Sequence, residues 1–132
     1  MPTELFWLTL TTIMTGLFWV PYILDRAAVR GLMGSMANPH PDDKPQSAWA
    51  QRQMQAHANA VENLVIFATL VLTAHAAGAL TPATATASAV YFWARLAHFI
   101  IYSLGIPVLR TLSFVVAFGA QAVIALAILK LI

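Results

Sequence analysis

Apolar residues run along this chain in four long blocks, separated by short stretches where proline, glycine and polar residues collect. The first block covers about residues 5–24 and continues as helix past Asp25 and Arg26 to about residue 30. Gly31, Gly34 and Asn38-Pro39-His40-Pro41 then break it, because proline cannot continue a helix and restricts the residue before it. Residues 35–47 are the only polar stretch of any length. Ser47 is placed to cap a second helix over 48–77, with Trp49 near the interface. Gly78 to Pro82 form a tight turn, and Thr81 or Thr84 can cap a third helix over 83–104. Gly105-Ile106-Pro107 ends that helix, and a fourth covers 108–131. Since roughly 20 apolar residues make one crossing, the pattern predicts an all-α integral membrane protein. Its expected form is a bundle of four transmembrane helices, one domain over residues 1–132. Strand-like alternation is missing, which argues against a β-barrel.

Composition agrees. Of 132 residues, 60% are hydrophobic and 9% charged, whereas a water-facing domain carries about a quarter charged residues. No cysteine is present, which excludes disulfides, thiolate metal sites and a protein thiol nucleophile. The net charge of +2 is too small and too scattered to suggest a nucleic-acid surface. The start, Met1-Pro2-Thr3-Glu4, lacks the positive charge of a secretory signal, so the first block is expected to be mature structure. Arg26, Arg30, Lys44 and Arg52 flank the first connection, and Arg110 follows the third. The second connection has no Lys or Arg and the tail has only Lys130. The positive-inside rule therefore places both termini outside and the first and third connections in the cytoplasm.

The second helix carries Arg52, Gln55, Asn59, Glu62 and Asn63 within an arc of roughly 100°, with His57 and His75 on another face. In the third, Tyr91, Arg95, His98 and Tyr102 are spaced by four, three and four residues and share one face. A carboxylate as deep in a span as Glu62 costs a few kcal/mol to insert, so it should face protein or water and have a partner. Glu62 is therefore expected to pair with Arg95, with Asn59, Asn63 and His98 filling the remaining hydrogen-bond sites. The plain alternative for Glu62, Arg95 and Asn59 is a polar clamp between helices. Arg26, Lys44 and Lys130 read as interfacial anchors, and the four tryptophans as interface or packing residues. No catalytic triad, phosphate loop, dinucleotide fingerprint or metal-ligand spacing occurs.

The runs Ala56-His-Ala-Asn-Ala-Val-Glu-Asn63, Arg95-Leu-Ala-His98-Phe-Ile-Ile-Tyr102 and Gly105-Ile-Pro-Val-Leu-Arg110-Thr111, in that order, resemble the MAPEG family. These are the membrane-associated proteins of eicosanoid and glutathione metabolism. The likeness extends over nearly the whole chain, including Ala37-Asn38-Pro39 in the first connection. It implies a bacterial-type homotrimer in the inner membrane that binds glutathione as co-substrate between subunits, near the cytoplasmic side. By similarity, Arg30 would approach a glutathione carboxylate, and Asn59, Glu62 and His98 would hold its polar backbone. Arg95 backs these groups, Tyr102 would line the site, and Arg110 and Thr111 would sit at the sulfur. A hydrophobic electrophile or lipid hydroperoxide would arrive through an apolar groove open to lipid. The likeness departs at Gln55 and Ala58, where glutathione-using eicosanoid synthases carry arginines. Arg52, one turn earlier, would replace part of that charge. The family also contains a non-enzymatic lipid-binding member, so two functions are implied. One is a glutathione-dependent transferase or peroxidase, and the other a lipid-binding scaffold.

Overall fold

The computed structural model describes all 132 residues as α1 (Thr3–Leu17), α2 (Trp19–Met36), α3 (Ala48–Ala76), α4 (Pro82–Leu104) and α5 (Pro107–Ile128). The protein is all-helical. Only Phe18 separates α1 from α2, and its backbone is itself helical, so the two form one rod. The rods Thr3–Met36, Ala48–Ala76 and Pro107–Ile128 are long and apolar enough to cross a membrane. The remaining long helix, α4, has 23 residues and carries the buried polar residues Arg95 and His98.

Local chemistry sets the boundaries. The break expected at Gly31 is real, with φ 74° and ψ 164°, a conformation that glycine alone adopts without strain. Helical hydrogen bonding nevertheless resumes beyond it as far as Met36. Ser47 stands at the N-cap of α3 as expected, but its side chain makes no capping bond. Its hydroxyl and its amide both donate to the buried Asp25 carboxylate, the amide at 3.0 Å. Gln46 Nε2 donates to the same carboxylate at 3.2 Å and to the Tyr22 carbonyl at 2.8 Å. Asp25 therefore pins the end of the polar connection to α2.

Thr81 caps α4 in a reciprocal box with Thr84, with Pro82 at the first helical position. The Thr84 hydroxyl also donates to Glu4 Oε1 at 2.8 Å, and Glu4 is buried, so the first turn of α1 is joined to the start of α4. Thr84→Val would lose the box and leave a buried carboxylate short of a donor. Its expected cost is about 1–2 kcal/mol, read as a lowered unfolding midpoint in detergent. The exposed neighbour Thr86, changed in the same way, should move the midpoint far less.

The interior of the bundle has two apolar clusters. The larger joins Leu8 of α1, Phe67 and Val71 of α3, Tyr91 of α4 and Ile124 of α5. The smaller gathers Phe18, Ala56, Ala60 and Phe99, with the Phe18 and Phe99 rings stacked at 3.8 Å between centroids. Polar residues stand between these clusters on both helices, Asn63 on α3 and the buried Arg95 and His98 on α4. Small residues such as Ala56, Ala60, Ala87 and Ala94 are buried at the contacts, where they let helix backbones approach.

Candidate functional site

The polar layer begins at Arg95, which is 2% exposed. Its Nη2 donates to Asn59 Oδ1 at 2.8 Å, while Nε and Nη1 have no protein partner. Asn63 Nδ2 donates to the Asn59 carbonyl at 2.9 Å, and Gln121 Nε2 donates to the Asn63 carbonyl at 3.2 Å. A polar chain therefore runs from α4 through α3 to α5.

The expected Glu62–Arg95 pair does not form. Glu62 is exposed on α3 and has no ion-pair partner within the chain. Three residues at about 100° each turn Glu62 some 60° away from Asn59, about the helix axis. Asn59 is the one of the two that looks at α4. The arginine–carboxylate pair of the chain lies instead at the first connection, Arg30 with Asp43 at 3.7 Å.

Beside this chain lies a crevice of about 280 Å³ lined by Asn59, His98, Tyr102, Arg110, Thr111 and Phe114. The Arg110 guanidinium stands 4.6 Å from the centre of the Tyr102 ring, close enough for a cation–π contact. The Tyr102 hydroxyl donates to Gln55 Oε1 at 2.8 Å. His98 meets Tyr102 edge-on at 5.6 Å, and its buried Nδ1 has no partner. The Thr111 hydroxyl rests on the Pro107 carbonyl at 3.2 Å. The lining includes one guanidinium and no carboxylate, with the Arg95 charge directly behind Asn59. Chemically this is a seat for an anion.

Phe114 also belongs to a second cavity, an apolar groove of about 650 Å³ between α3 and α5. Ile66, Leu70, Phe118 and Leu126 line it, with Asn63 and Gln121 as its polar members. A polar seat and an apolar channel thus share one wall.

The structure brings together Asn59, Arg95, His98, Tyr102, Arg110 and Thr111. Within one chain it does not bring Arg30, Arg52 or Glu62 to them. Arg30 Nε donates to the Lys44 carbonyl at 2.8 Å, and its side chain lines a separate polar crevice with His40, Asp43 and Gln46. Arg52 Nε donates to the Ser103 carbonyl at 3.0 Å. His57 sits on the other face of α3, as expected, and shares a 2.8 Å hydrogen bond with the Tyr22 hydroxyl. The sequence reading had not singled out Phe114 or Gln121. Gln121 carried a signal, being the one amide within the last apolar block. Gln55 emerges with a specific role, because an arginine at that position could not accept the Tyr102 proton.

The sequence model of the MAPEG family matches residues 5–130, which takes in the crevice, the polar layer and all five helices but for the first two residues of α1. No curated protein matches the chain.

Proposed function

The chain belongs to the MAPEG family, and from that premise we propose that it is a glutathione-dependent transferase or peroxidase acting on hydrophobic electrophiles or lipid hydroperoxides within the membrane. The observation that carries this reading is the crevice lined by Arg110 and by no carboxylate, joined through Phe114 to an apolar groove.

The chemistry follows from the charges. A thiolate, not a thiol, is the nucleophile, and a nearby cation lowers the thiol pKa. Arg110 supplies that cation, and Thr111 offers a hydroxyl one residue on. Asn59, His98 and Tyr102 hold the polar backbone of the tripeptide, and Arg95 polarises Asn59 from behind. The groove presents the second substrate to the sulfur, so catalysis rests on thiol ionisation and on placing two reactants side by side. With an electrophile, the thiolate forms a carbon–sulfur bond and the bonding pair leaves with the displaced group. With a hydroperoxide, the thiolate takes the terminal oxygen and the O–O bond breaks. The alkoxide is protonated to the alcohol, and a second glutathione converts the sulfenic acid to disulfide and water.

In the assembly we propose, α4 is the third of four spans and three copies associate. Both termini lie outside and the crevice faces the cytoplasmic side of a bacterial inner membrane. The trimer accounts for Glu62 and Arg30. A carboxylate as deep as Glu62, with no partner in its own chain, needs one from a neighbouring copy or from the ligand. Arg30 likewise reaches a glutathione carboxylate across a subunit boundary.

Calorimetry on the protein in detergent is expected to show saturable glutathione binding. Ultraviolet absorbance should show a bound thiolate that Arg110→Ala abolishes. Absence of saturable binding sinks the reading, and an unchanged thiolate in Arg110→Ala removes Arg110 from its role.

The second reading is a lipid-binding scaffold. Gln55 and Ala58 favour it, because they take two cations away from where the synthases have them. It predicts that Glu62→Gln dissociates the trimer and that glutathione never binds. A Glu62→Gln trimer that stays intact yet has lost glutathione binding excludes it.

A further inference from the structure

Arg52 stands in the second turn of α3, where it is expected to supply a ligand with part of the charge missing at Gln55 and Ala58. The structure gives it other work. Its Nε donates to the carbonyl of Ser103, in the last turn of α4, at 3.0 Å. That turn ends at Gly105, whose φ of +77° puts it in the left-handed region. A Cβ on Gly105 would lie 3.2 Å from both Cζ and Nε of Arg52, so the guanidinium occupies the space a side chain would need. One turn further along α3, Gln55 accepts the Tyr102 hydroxyl at 2.8 Å. Two residues of α3 therefore grip the end of α4, one at a carbonyl and one at a phenol. The last carbonyls of a helix lack partners in their own helix, and a cation there also meets the negative end of its dipole.

What hangs from this grip is the start of α5. The Gly105 amide donates to the Tyr102 carbonyl at 3.0 Å and the Ile106 amide to the Ile101 carbonyl at 3.3 Å, which closes the turn. Pro107 opens α5, and the Arg110 amide returns to the Ile106 carbonyl at 3.3 Å. Arg110 then lies over the ring of Tyr102, the same residue that Gln55 holds. The segment 102–110 is a short, closed piece of backbone with its anchor at one end and the crevice guanidinium at the other.

We propose that Arg52 is a positioning residue: seated against Gly105, it fixes the α4–α5 turn, and so sets where Arg110 stands in the crevice and how strongly it ionises a bound thiol. This rests on the glutathione reading above. It differs from a ligand contact in what each variant should change. Loss of a ligand contact weakens binding. Loss of a positioning contact leaves most of the binding and reduces the thiolate.

The test compares the intact protein in detergent with Arg52→Gln, Arg52→Lys and Gly105→Ala. Glutathione affinity is read by calorimetry, thiol ionisation by ultraviolet titration, and backbone protection by amide hydrogen exchange. In Arg52→Gln the pKa of the bound thiol is expected to rise by about one unit, a roughly tenfold loss of thiolate below that pKa. The dissociation constant should change by less than about threefold. The hydrogen-bonded amides of Gly105, Ile106 and Arg110 should exchange faster, while those beyond Ala117 keep their protection. Gly105→Ala, which crowds Arg52 and also strains a left-handed position, should loosen the same turn with the Arg52 charge still present, and so raise the thiol pKa in the same direction. Arg52→Lys, which can still reach a carbonyl, should restore part of the ionisation. A large loss of affinity with an unchanged thiol pKa would make Arg52 a ligand contact and overturn the proposal. Unchanged exchange at Gly105, Ile106 and Arg110 in Arg52→Gln would overturn it as well. Should the wild type bind no glutathione, the functional reading fails by itself. The exchange arm then still decides whether Arg52 holds the Arg110 segment.

Discussion

Asn59→Leu is expected to destabilise the protein by about 3 kcal/mol, whereas Arg95→Met should leave it close to wild-type stability. The asymmetry follows from the Arg95 side chain, which is 2% exposed and has Asn59 Oδ1 as its one protein acceptor. Removing the amide strands a guanidinium inside the bundle, where neither water nor a carboxylate can answer it. Removing the guanidinium replaces a costly charge with an apolar chain of similar length, and the freed Asn59 still has Asn63 beside it. The function is expected to go the other way. On the glutathione reading, Arg95→Met should lose affinity despite its sound fold, since the crevice then keeps Arg110 in its lining but no charge behind Asn59. Unfolding in detergent followed by circular dichroism checks the stability order, and calorimetry checks the binding. If Asn59→Leu unfolds where the wild type does, Arg95 has another source of compensation and the polar layer has been misassigned.

Phe67→Ala should have a comparable or larger effect, about 3–5 kcal/mol. Phe67 is fully buried and its ring stacks on Tyr91, with centroids 3.9 Å apart and planes 15° from parallel. Lipid tails are as apolar as phenylalanine, so water exclusion contributes little to holding these helices together. What alanine forfeits is the close contact itself, and the cavity is enclosed by α1, α4 and α5. Its exposed neighbour Ile66, truncated to alanine, should cost a small fraction of that. Equal unfolding midpoints for the two variants would show that the larger cluster does not hold the bundle together. Phe67 does not line the crevice, so on the glutathione reading affinity should survive in Phe67→Ala under conditions where it remains folded.

Those two expectations concern different kinds of residue, and the sequence disclosed them unequally. Helix ends were readable because their causes are local. Thr81 with Pro82 announces a cap, Gly105 with Pro107 announces a stop, and α3, α4 and α5 begin and end within a few residues of the expected places, whereas the first rod runs on past Gly31 to Met36. The inner face of α4 was readable too, since spacings of four, three and four fix Tyr91, Arg95, His98 and Tyr102 together whatever lies opposite. Which residue of α3 meets Arg95 was not. Asn59 and Glu62 both belong to the polar arc, and charge favours Glu62, but the relative rotation of two helices comes from packing spread over the whole contact. Ala56 and Ala60 turn the Asn59 edge of α3 toward α4, and the carboxylate follows to the outside. Ser47 is a similar case. Its place at the start of α3 was legible, yet its hydroxyl answers Asp25, 22 residues earlier. The crevice was half legible, because Arg110 and Tyr102 lie on different helices and meet only through the turn that joins them.

The hydrogen bond from Thr84 to Glu4 spans 80 residues of chain. At a synthesis rate of roughly 5–20 residues per second, about 4–16 seconds separate the appearance of the two partners. Throughout that interval the first turn of α1 has a carboxylate with nothing to bind, and a bare carboxylate prefers hydration to hydrocarbon. The contact that joins the first turn of α1 to the start of α4 can therefore close only after Thr84 has been made, so a tie on the first piece synthesised is completed late in the life of the nascent chain.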